Sequence, residues 1–273
     1  MIDKYKAVWI SHSSLGDYLK CPRLYYLHNV YKDPKTRRKM SIVTPYMSLG
    51  IAVHNVLEGL VVYKAEDRMK QDLHDLYEKE WEKVSGTIGG FTDFEQEKDF
   101  KERGTMMIQR AIDNPELFTD KTIKMKEELP HFFISEEEGI ILCGKIDWIR
   151  YVEKTDTVEL YDFKTGMNKE DDGSLQLPIY TLLMKYCQKR EVSAAYYWYL
   201  QSDDTFIQKE LPDLDESYKK VLELGKKVKA TRENNAYDCP KGGCHDCEQY
   251  EKILRGEAEY VGVGGYNQDL YII

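Results

Sequence analysis

The sequence lacks any long apolar run. Its first residues, Met1 to Lys6, hold no apolar core of signal-peptide length, and no later stretch approaches the roughly 20 apolar residues that span a bilayer. These absences argue against a secretory leader and a membrane-spanning helix. We therefore expect a cytoplasmic protein without a membrane partner.

The sequence is also short of positive charge. It has 39 Lys and Arg residues against 48 Asp and Glu residues, a formal net charge of -9, whereas nucleic-acid binders usually carry a basic surface. The distribution is uneven, because residues 1–50 carry a net +6 and leave -15 for the remainder. Basic residues are densest at Lys32, Lys35, Arg37, Arg38 and Lys39. Charge alone favours a solvated loop for this cluster over a DNA contact.

The composition is otherwise that of an ordinary globular protein, with 42% hydrophobic and 32% charged residues in 273. This length allows a large core, in one domain with an insertion or in two domains. We predict a single domain over residues 1–273. Residues 66–118 are charged, helix-favouring and poor in strand formers, which predicts a helical insertion that serves mainly as a solvated scaffold.

The middle of the chain has the residue patterns of β-strands. Residues 123–134 and 140–152 predict an antiparallel hairpin, and within the second strand lies the run Gly144 to Ile149. The run Val158 to Gly166 predicts a further strand, because apolar and aromatic residues alternate with others. The acidic stretch Glu153 to Asp156 supplies the turn between the two.

Three charged side chains of these strands are predicted to meet. Residues two apart on a strand share a face, so Asp162 and Lys164 project together while Phe163 points the other way. If the strands pair as neighbours, Asp147 stands beside them. Two carboxylates that close repel each other unless a hard cation such as Mg²⁺ or Mn²⁺ lies between them. The pattern therefore predicts a metal site for phosphate chemistry.

Two helical stretches carry further polar pairs. Residues 47–65 have helical periodicity and place His54 and Glu58, four apart, on an otherwise apolar stripe. Taken alone, this pair indicates a core histidine paired with its own glutamate, because unpaired buried polar groups are costly. Gln176 and Tyr180 likewise share one face of a later helix.

The N-terminal region also has helical periodicity. Residues 13–31 predict a helix capped by Ser13 or Ser14 and broken at Pro22. Cys21 then lies at the junction of two helices.

The cysteines form two groups. Cys239, Cys244 and Cys247 flank a Gly-Gly turn that lets thiolates converge, which is typical of a metal knuckle. Cys21 is the obvious fourth ligand and would join the N-terminal helices to the C-terminal segment. Such a cluster holds iron–sulfur or zinc, and reduced, unligated cysteines are the alternative. Cys143 and Cys187 lie among apolar residues, so we predict that both serve as packing residues.

Taken in order, these motifs resemble the RecB-like branch of the PD-(D/E)XK nucleases, which includes the CRISPR-associated iron–sulfur exonucleases and the AddB/RecB C-terminal nuclease domain. The resemblance rests on the following motifs: Ser14-Leu15, Tyr18, Cys21-Pro22-Arg23 and Tyr25-Tyr26; Gly50-x-x-x-His54-x-x-x-Glu58; Gly144-x-x-Asp147; Asp162-Phe163-Lys164-Thr165-Gly166; and Gln176-x-x-x-Tyr180.

The resemblance implies a restriction-endonuclease-like α/β fold, with a central mixed sheet flanked by helices and a cysteine staple between the chain's ends. It implies a Mg²⁺- or Mn²⁺-dependent exonuclease for single-stranded DNA or DNA ends, with helicase or CRISPR adaptation proteins as partners. The residues matched to its metal site are His54, Asp147, Asp162 and the Phe163 backbone carbonyl, with Glu58 as support. Lys164 would orient the attacking water as a cation, and Gln176 and Tyr180 would position water or phosphate.

The sequence departs from this family at the last cysteine. The family pattern has a further cysteine after Cys-x-x-Cys, but Ile253 stands about where it is expected. Cys239 upstream substitutes for it in our interpretation, with His245 as another candidate. A 4Fe–4S cluster is the preferred cofactor and Zn²⁺ the alternative.

Two other function classes stay open at this point. One is a catalytically silent DNA-binding or complex-forming subunit on the same scaffold, which the presence of every expected catalytic residue disfavours. The other is an iron–sulfur protein that senses redox state or DNA damage, which a visible absorption spectrum would test.

Overall fold

The computed structural model describes residues 3–171 and 173–273. Within these residues the strands are β1 (Val8–Ile10), β2 (Lys39–Ile42), β3 (His131–Ser135), β4 (Ile140–Cys143), β5 (Trp148–Val152), β6 (Thr157–Lys164), β7 (Val192–Tyr199), β8 (Ile207–Lys209), β9 (Glu259–Val263) and β10 (Gln268–Ile272). The α-helices are α1 (His12–Lys20), α2 (Pro22–Tyr25), α3 (Pro45–Gly59), α4 (Ala65–Arg68), α5 (Leu73–Glu82), α6 (Phe94–Asp113), α7 (Glu116–Thr119), α8 (Gln176–Cys187), α9 (Leu214–Glu233) and α10 (His245–Arg255). Short π- and 3₁₀-helical segments cover Tyr26–Val30, Leu60–Val62 and Gly86–Gly89.

The chain divides into two compact units. The first unit comprises Met1–Thr44, His131–Cys143 and Asp215–Ile273, and the second comprises Pro45–Pro130 and Gly144–Leu214. The mixed α/β architecture expected from the sequence is confirmed, although the strands form three sheets rather than one. The single domain over residues 1–273 stays a prediction.

The second unit is built on the sheet β5-β6-β7-β8, in which β6 is antiparallel to β5 and parallel to β7. Strand alternation sends Tyr161 and Phe163 to the face that forms a hydrophobic core with helices α3, α5 and α6. Trp148 of β5 and Trp198 of β7 join the same core. The intervening Asp162 is thereby directed to the opposite face.

Helices α4 to α7 occupy the segment for which the sequence predicts helices. They are more than a solvated scaffold, because each long helix buries an apolar face. Tyr77 and Trp81 of α5 and Met107 and Ile108 of α6 are at most 2% exposed and belong to the core of the second unit. These helices therefore stabilise the sheet that carries the candidate site.

The strand expected to deliver Asp147 is shorter than the sequence predicts. The hairpin pairs β3 with β4 in the first unit, whereas β5 pairs with β6 in the second. Between them, residues 144–147 leave the strand conformation. Gly144 packs tightly here, since a Cβ on it would lie 2.9 Å from the Leu183 side chain.

In the first unit the sheets are β1-β4-β3 and β2-β10-β9. Helix α1 is capped by Ser11 rather than by Ser13 or Ser14, because Ser14 serves as the third residue of a capping box. The break at Pro22 is confirmed, since Pro22 is the first residue of α2.

The stretch Pro45–Val62 is long and apolar enough to cross a membrane by length and composition alone, contrary to our reading of the sequence. Much of its hydropathy comes from core positions. Leu49, Val53, Val56 and Leu57 are buried in the core of the second unit.

Gly104 of α6 offers a test of this packing. A Cβ at this position would lie 1.9 Å from the Tyr77 hydroxyl oxygen and 2.9 Å from Leu49 Cδ1. We expect Gly104→Ala to lower the free energy of unfolding by about 1–3 kcal/mol through overpacking. Gly59→Ala is the matched control, because nothing lies within 4 Å of its added Cβ. If urea denaturation gives both variants the same free energy of unfolding as the parent, the packing of α6 against Tyr77 and Leu49 is wrong.

Candidate active site and cysteine cluster

Two carboxylates lie at the centre of the second unit. Trp148 pairs with Tyr161 in the β5–β6 register, so Asp147, one residue earlier, falls opposite Asp162. Asp147 Oδ2 accepts a hydrogen bond of 2.8 Å from the Phe163 backbone N–H. Asp162 is 4% exposed. The structure thus brings both aspartates together, as the strand pattern predicts.

Helix α3 adds a histidine and a third carboxylate. His54 Nδ1 lies 2.9 Å from Glu58 Oε1 and 3.6 Å from Asp147 Oδ2. One ligand atom from each of His54, Glu58 and Asp147 lies within 4.8 Å of the others. We call these three residues the cradle. From the sequence we expected Glu58 only to support the metal site, but the structure places it among the candidate ligands. Its position four residues after His54 was the sequence feature that could have indicated this.

The cradle has strongly shifted protonation equilibria. Burial, and then the negative charge of Asp162, raise the pKa of Asp147 to about 8. Burial opposes a charge on His54, but Asp147 and Glu58 outweigh it and raise the pKa of the imidazole to about 9. Both shifts report an excess of negative charge in a site with little water, which a bound cation would relieve.

Lys164 joins the site from β6. Its Nζ lies 2.9 Å from Asp162 Oδ2 and 2.9 Å from Glu170 Oε2, and 4.7 Å from the centre of the Tyr197 ring. Burial works against the charged form, but Asp162 and Glu170 raise the pKa of Lys164 above its ordinary value. The side chain is therefore an ammonium ion. Glu170 lies in a polar loop without periodicity, and no feature of the sequence pointed to it.

Gln176 and Tyr180 of α8 both bind Asp162. Gln176 Nε2 and the Tyr180 hydroxyl donate to Asp162 Oδ1 over 2.7 and 3.0 Å. Burial and then the charge of Asp162 raise the pKa of Tyr180 well above its ordinary value, so the phenol keeps its proton and remains a donor. Gln176 Oε1 also accepts a hydrogen bond from Lys164 Nζ. That this pair positions water or phosphate, as the motif resemblance implies, stays a prediction.

The donor set suits a hard divalent cation. The cradle offers one imidazole nitrogen and carboxylate oxygens, the ligand types found around Mn²⁺ and Mg²⁺. Among the described residues, Glu58 Oε2 and Asp162 Oδ2 are buried oxygens that accept no hydrogen bond of acceptable geometry, although each lies near a lysine ammonium. The residues fit such an ion. Ligation by Asp162 and by the Phe163 carbonyl stays a prediction.

The first unit contains a second cluster of ligand atoms. The sulfur atoms of Cys21, Cys239, Cys244 and Cys247 lie within 4.8 Å of one another. Gly243 has φ +133°, a conformation that favours glycine.

The thiols of this cluster differ in acidity. The backbone N–H groups of Lys241 and Gly243 lower the pKa of Cys239 to about 7. Burial raises the pKa of Cys247 to about 12. The knuckle predicted from the sequence thus forms, and its set of sulfur ligands is compatible with iron–sulfur or zinc.

The structure also places the other residues considered for this cluster. Ile253 packs in the same hydrophobic cluster as Cys21 and Cys247, so it fills core space where a fifth thiol is not needed. The His245 side chain is 87% exposed. Cys143 is buried and donates its S–H to the Ile10 carbonyl, as expected of a packing residue.

A family model for the PD-(D/E)XK nuclease superfamily matches residues 9–251. The chain therefore belongs to the PD-(D/E)XK nuclease superfamily, whose members are metal-dependent phosphodiesterases that act on DNA. No curated protein matches the chain.

The cysteine cluster makes a direct prediction. We expect Cys21→Ser to reduce bound iron or zinc per chain and to lower the melting temperature, because the site joins two distant segments. Elemental analysis, the visible spectrum and thermal denaturation measure these effects. Cys187→Ser, outside the cluster, is the control. A Cys21 variant that keeps the parent's metal content and melting temperature would show that Cys21 is not a ligand of a structural metal.

Proposed function

We propose that the protein is a Mg²⁺- or Mn²⁺-dependent exonuclease of the RecB-like branch, acting on single-stranded DNA or DNA ends in CRISPR adaptation or in recombination and repair. The observation that carries the nuclease assignment is the cradle of His54, Glu58 and Asp147 beside the Asp162–Lys164 pair. The strand preference, the exonucleolytic action and the pathway rest on the motif resemblance. A cytoplasmic location and helicase or CRISPR adaptation partners belong to the same proposal.

Phosphodiester hydrolysis requires charge neutralisation on the phosphate and an activated water. A divalent cation, when bound, would supply Lewis acidity toward the phosphate oxygens and lower the pKa of water. His54, Glu58, Asp147 and Asp162 would hold it. Lys164 remains an ammonium ion and would offset the negative charge that develops on the phosphate in the transition state.

Gln176 and Tyr180 would act on this chemistry through Asp162. Two donors on one carboxylate oxygen restrict its rotation and leave Oδ2 directed toward Lys164. Preorganised ligands of this kind bind a metal more tightly than freely rotating ones. The cysteine cluster would hold a 4Fe–4S cluster, with Zn²⁺ as the alternative, and absorption in the visible range distinguishes the two.

The catalytic assignment is tested at Asp162 and Lys164. We expect Asp162→Ala to abolish metal-dependent cleavage of end-labelled DNA, and Lys164→Ala to lower the rate by roughly 100-fold or more, because transition-state charge is no longer offset. Single- and double-stranded oligonucleotides with and without Mn²⁺ serve as substrates. Lys154→Ala, an exposed lysine of the same unit, is the control. Parental activity in both site variants would refute the assignment.

The positioning role of Tyr180 makes a separate prediction. Tyr180→Phe removes the donor to Asp162 while keeping the ring, so the Mn²⁺ concentration for half-maximal cleavage should rise about 10- to 100-fold. Tyr186→Phe, an exposed tyrosine of the same helix, should titrate like the parent. An unchanged metal requirement for Tyr180→Phe would mean that the hydroxyl does not orient a ligand.

A further inference from the structure

A cavity of the second unit adjoins the cradle. It has a volume of about 770 Å³, and Glu58 and Asp147 of the cradle are among its lining residues. This volume is typical of clefts that bind a small ligand, about 300–1,000 Å³. The catalytic scheme uses only the cradle, so the rest of the cavity is unassigned.

Four lysines and five acidic residues line the cavity, and two of the acidic residues belong to the cradle. The lysines are Lys83, Lys124, Lys126 and Lys145. Lys145 lies at the cradle end, with its Nζ 2.5 Å from Glu58 Oε2, and its side chain is still 56% exposed. Lys83 is 63% exposed. These ammonium groups can therefore reach an anion in the cavity while keeping contact with water.

The cavity also contains glutamates outside the cradle. Glu80 is already satisfied, since it accepts from Lys83 over 2.6 Å and from Asn55 over 3.0 Å. Glu127 and Glu128 lie on the loop before Pro130 and oppose the binding of an anion. Exposed ion pairs such as Lys83–Glu80 contribute little stability, so a phosphate can compete for the lysine at small cost.

Apolar side chains make up much of the remaining lining. Val61, Val62, Ile123, Met125 and Ile146 face the cavity between its charged groups. A mixture of ammonium groups and apolar surface matches a single nucleic-acid strand, whose phosphates are anionic and whose sugars and base faces are apolar. The cavity is too small to enclose a double helix, whose major groove alone is about 12 Å wide.

We propose that this cavity binds the nucleotides next to the scissile phosphate, with Lys145 contacting the adjoining phosphate and Lys83, Lys124 and Lys126 the phosphates beyond it. The inference deepens the proposed function and rests on it for the position of the scissile bond. Lys145 is well placed for this role because it belongs to the same Gly144-x-x-Asp147 segment that supplies a cradle carboxylate. It bridges the metal site and the strand-binding cavity.

Binding of a labelled single-stranded oligonucleotide of twelve bases tests the proposal. The assay uses the full chain without added Mg²⁺ or Mn²⁺, so that metal-dependent cleavage does not occur while the cysteine cluster keeps its metal, at several salt concentrations. The triple variant Lys83→Ala, Lys124→Ala, Lys126→Ala should bind about tenfold more weakly or worse, and the slope of log K against log salt should become shallower by about 2, at about 0.7 per lost phosphate contact. Lys145→Ala should lower the slope by about 0.7.

Matched variants separate a local contact from a general charge effect. The control Lys70→Ala, Lys79→Ala, Lys154→Ala removes the same charge from exposed positions of the same unit and should keep the parent's slope. Glu128→Gln should act in the opposite direction and tighten binding.

The outcomes distinguish the two proposals. Equal slopes for the cavity and control variants would overturn the cavity assignment even if the parent cleaves DNA. A parent that does not cleave, combined with the expected loss of binding in the cavity variants, would refute the nuclease proposal and leave the strand-binding cavity supported.

Discussion

The mutual repulsion of Asp147 and Asp162, held side by side with little access to water, is the constraint on which the second unit depends. Two carboxylates in such surroundings cost free energy unless positive charge and hydrogen-bond donors surround them. Lys164 and His54 supply the charge, and donors from α8 and the β6 backbone supply the hydrogen bonds. Burial first, and then the charge of Asp162, still raise the pKa of Asp147, so these partners only partly offset the cost of its charged form.

That closeness is maintained by the hydrophobic core. Each aspartate is followed in sequence by a buried aromatic residue, Trp148 or Phe163, and Phe118 of the helical segment contacts both, with ring centres 5.2 and 6.1 Å apart. Aromatic pairs of this kind add stability beyond the area that they bury. Moving either carboxylate out of the site would require its aromatic neighbour to leave the core. The apolar packing of α7 thus opposes the electrostatic force that would separate the acids.

The parts of the site that the sequence could predict are those set by local periodicity. Alternation in β6 places Asp162 and Lys164 together, and helical spacing pairs His54 with Glu58 and Gln176 with Tyr180. Residues in irregular segments of the site carried no such signal. Glu170 reaches Lys164 from an irregular loop, and Gly144, where the chain leaves the strand, packs closely against Leu183.

The cysteine cluster and the cradle each bring together groups that become anionic on losing a proton, and they do so with different ligand types. The pKa of Cys239 is lowered to about 7, whereas burial raises the pKa of Cys247 to about 12, so without metal the thiols of this cluster ionise very unevenly. A cation that binds all members at once removes this conflict, because it stabilises each anionic form. Thiolates select soft or borderline ions, whereas carboxylates with one imidazole select harder ones. One chain can therefore hold a structural metal and a catalytic metal without either ion competing strongly for the other's site.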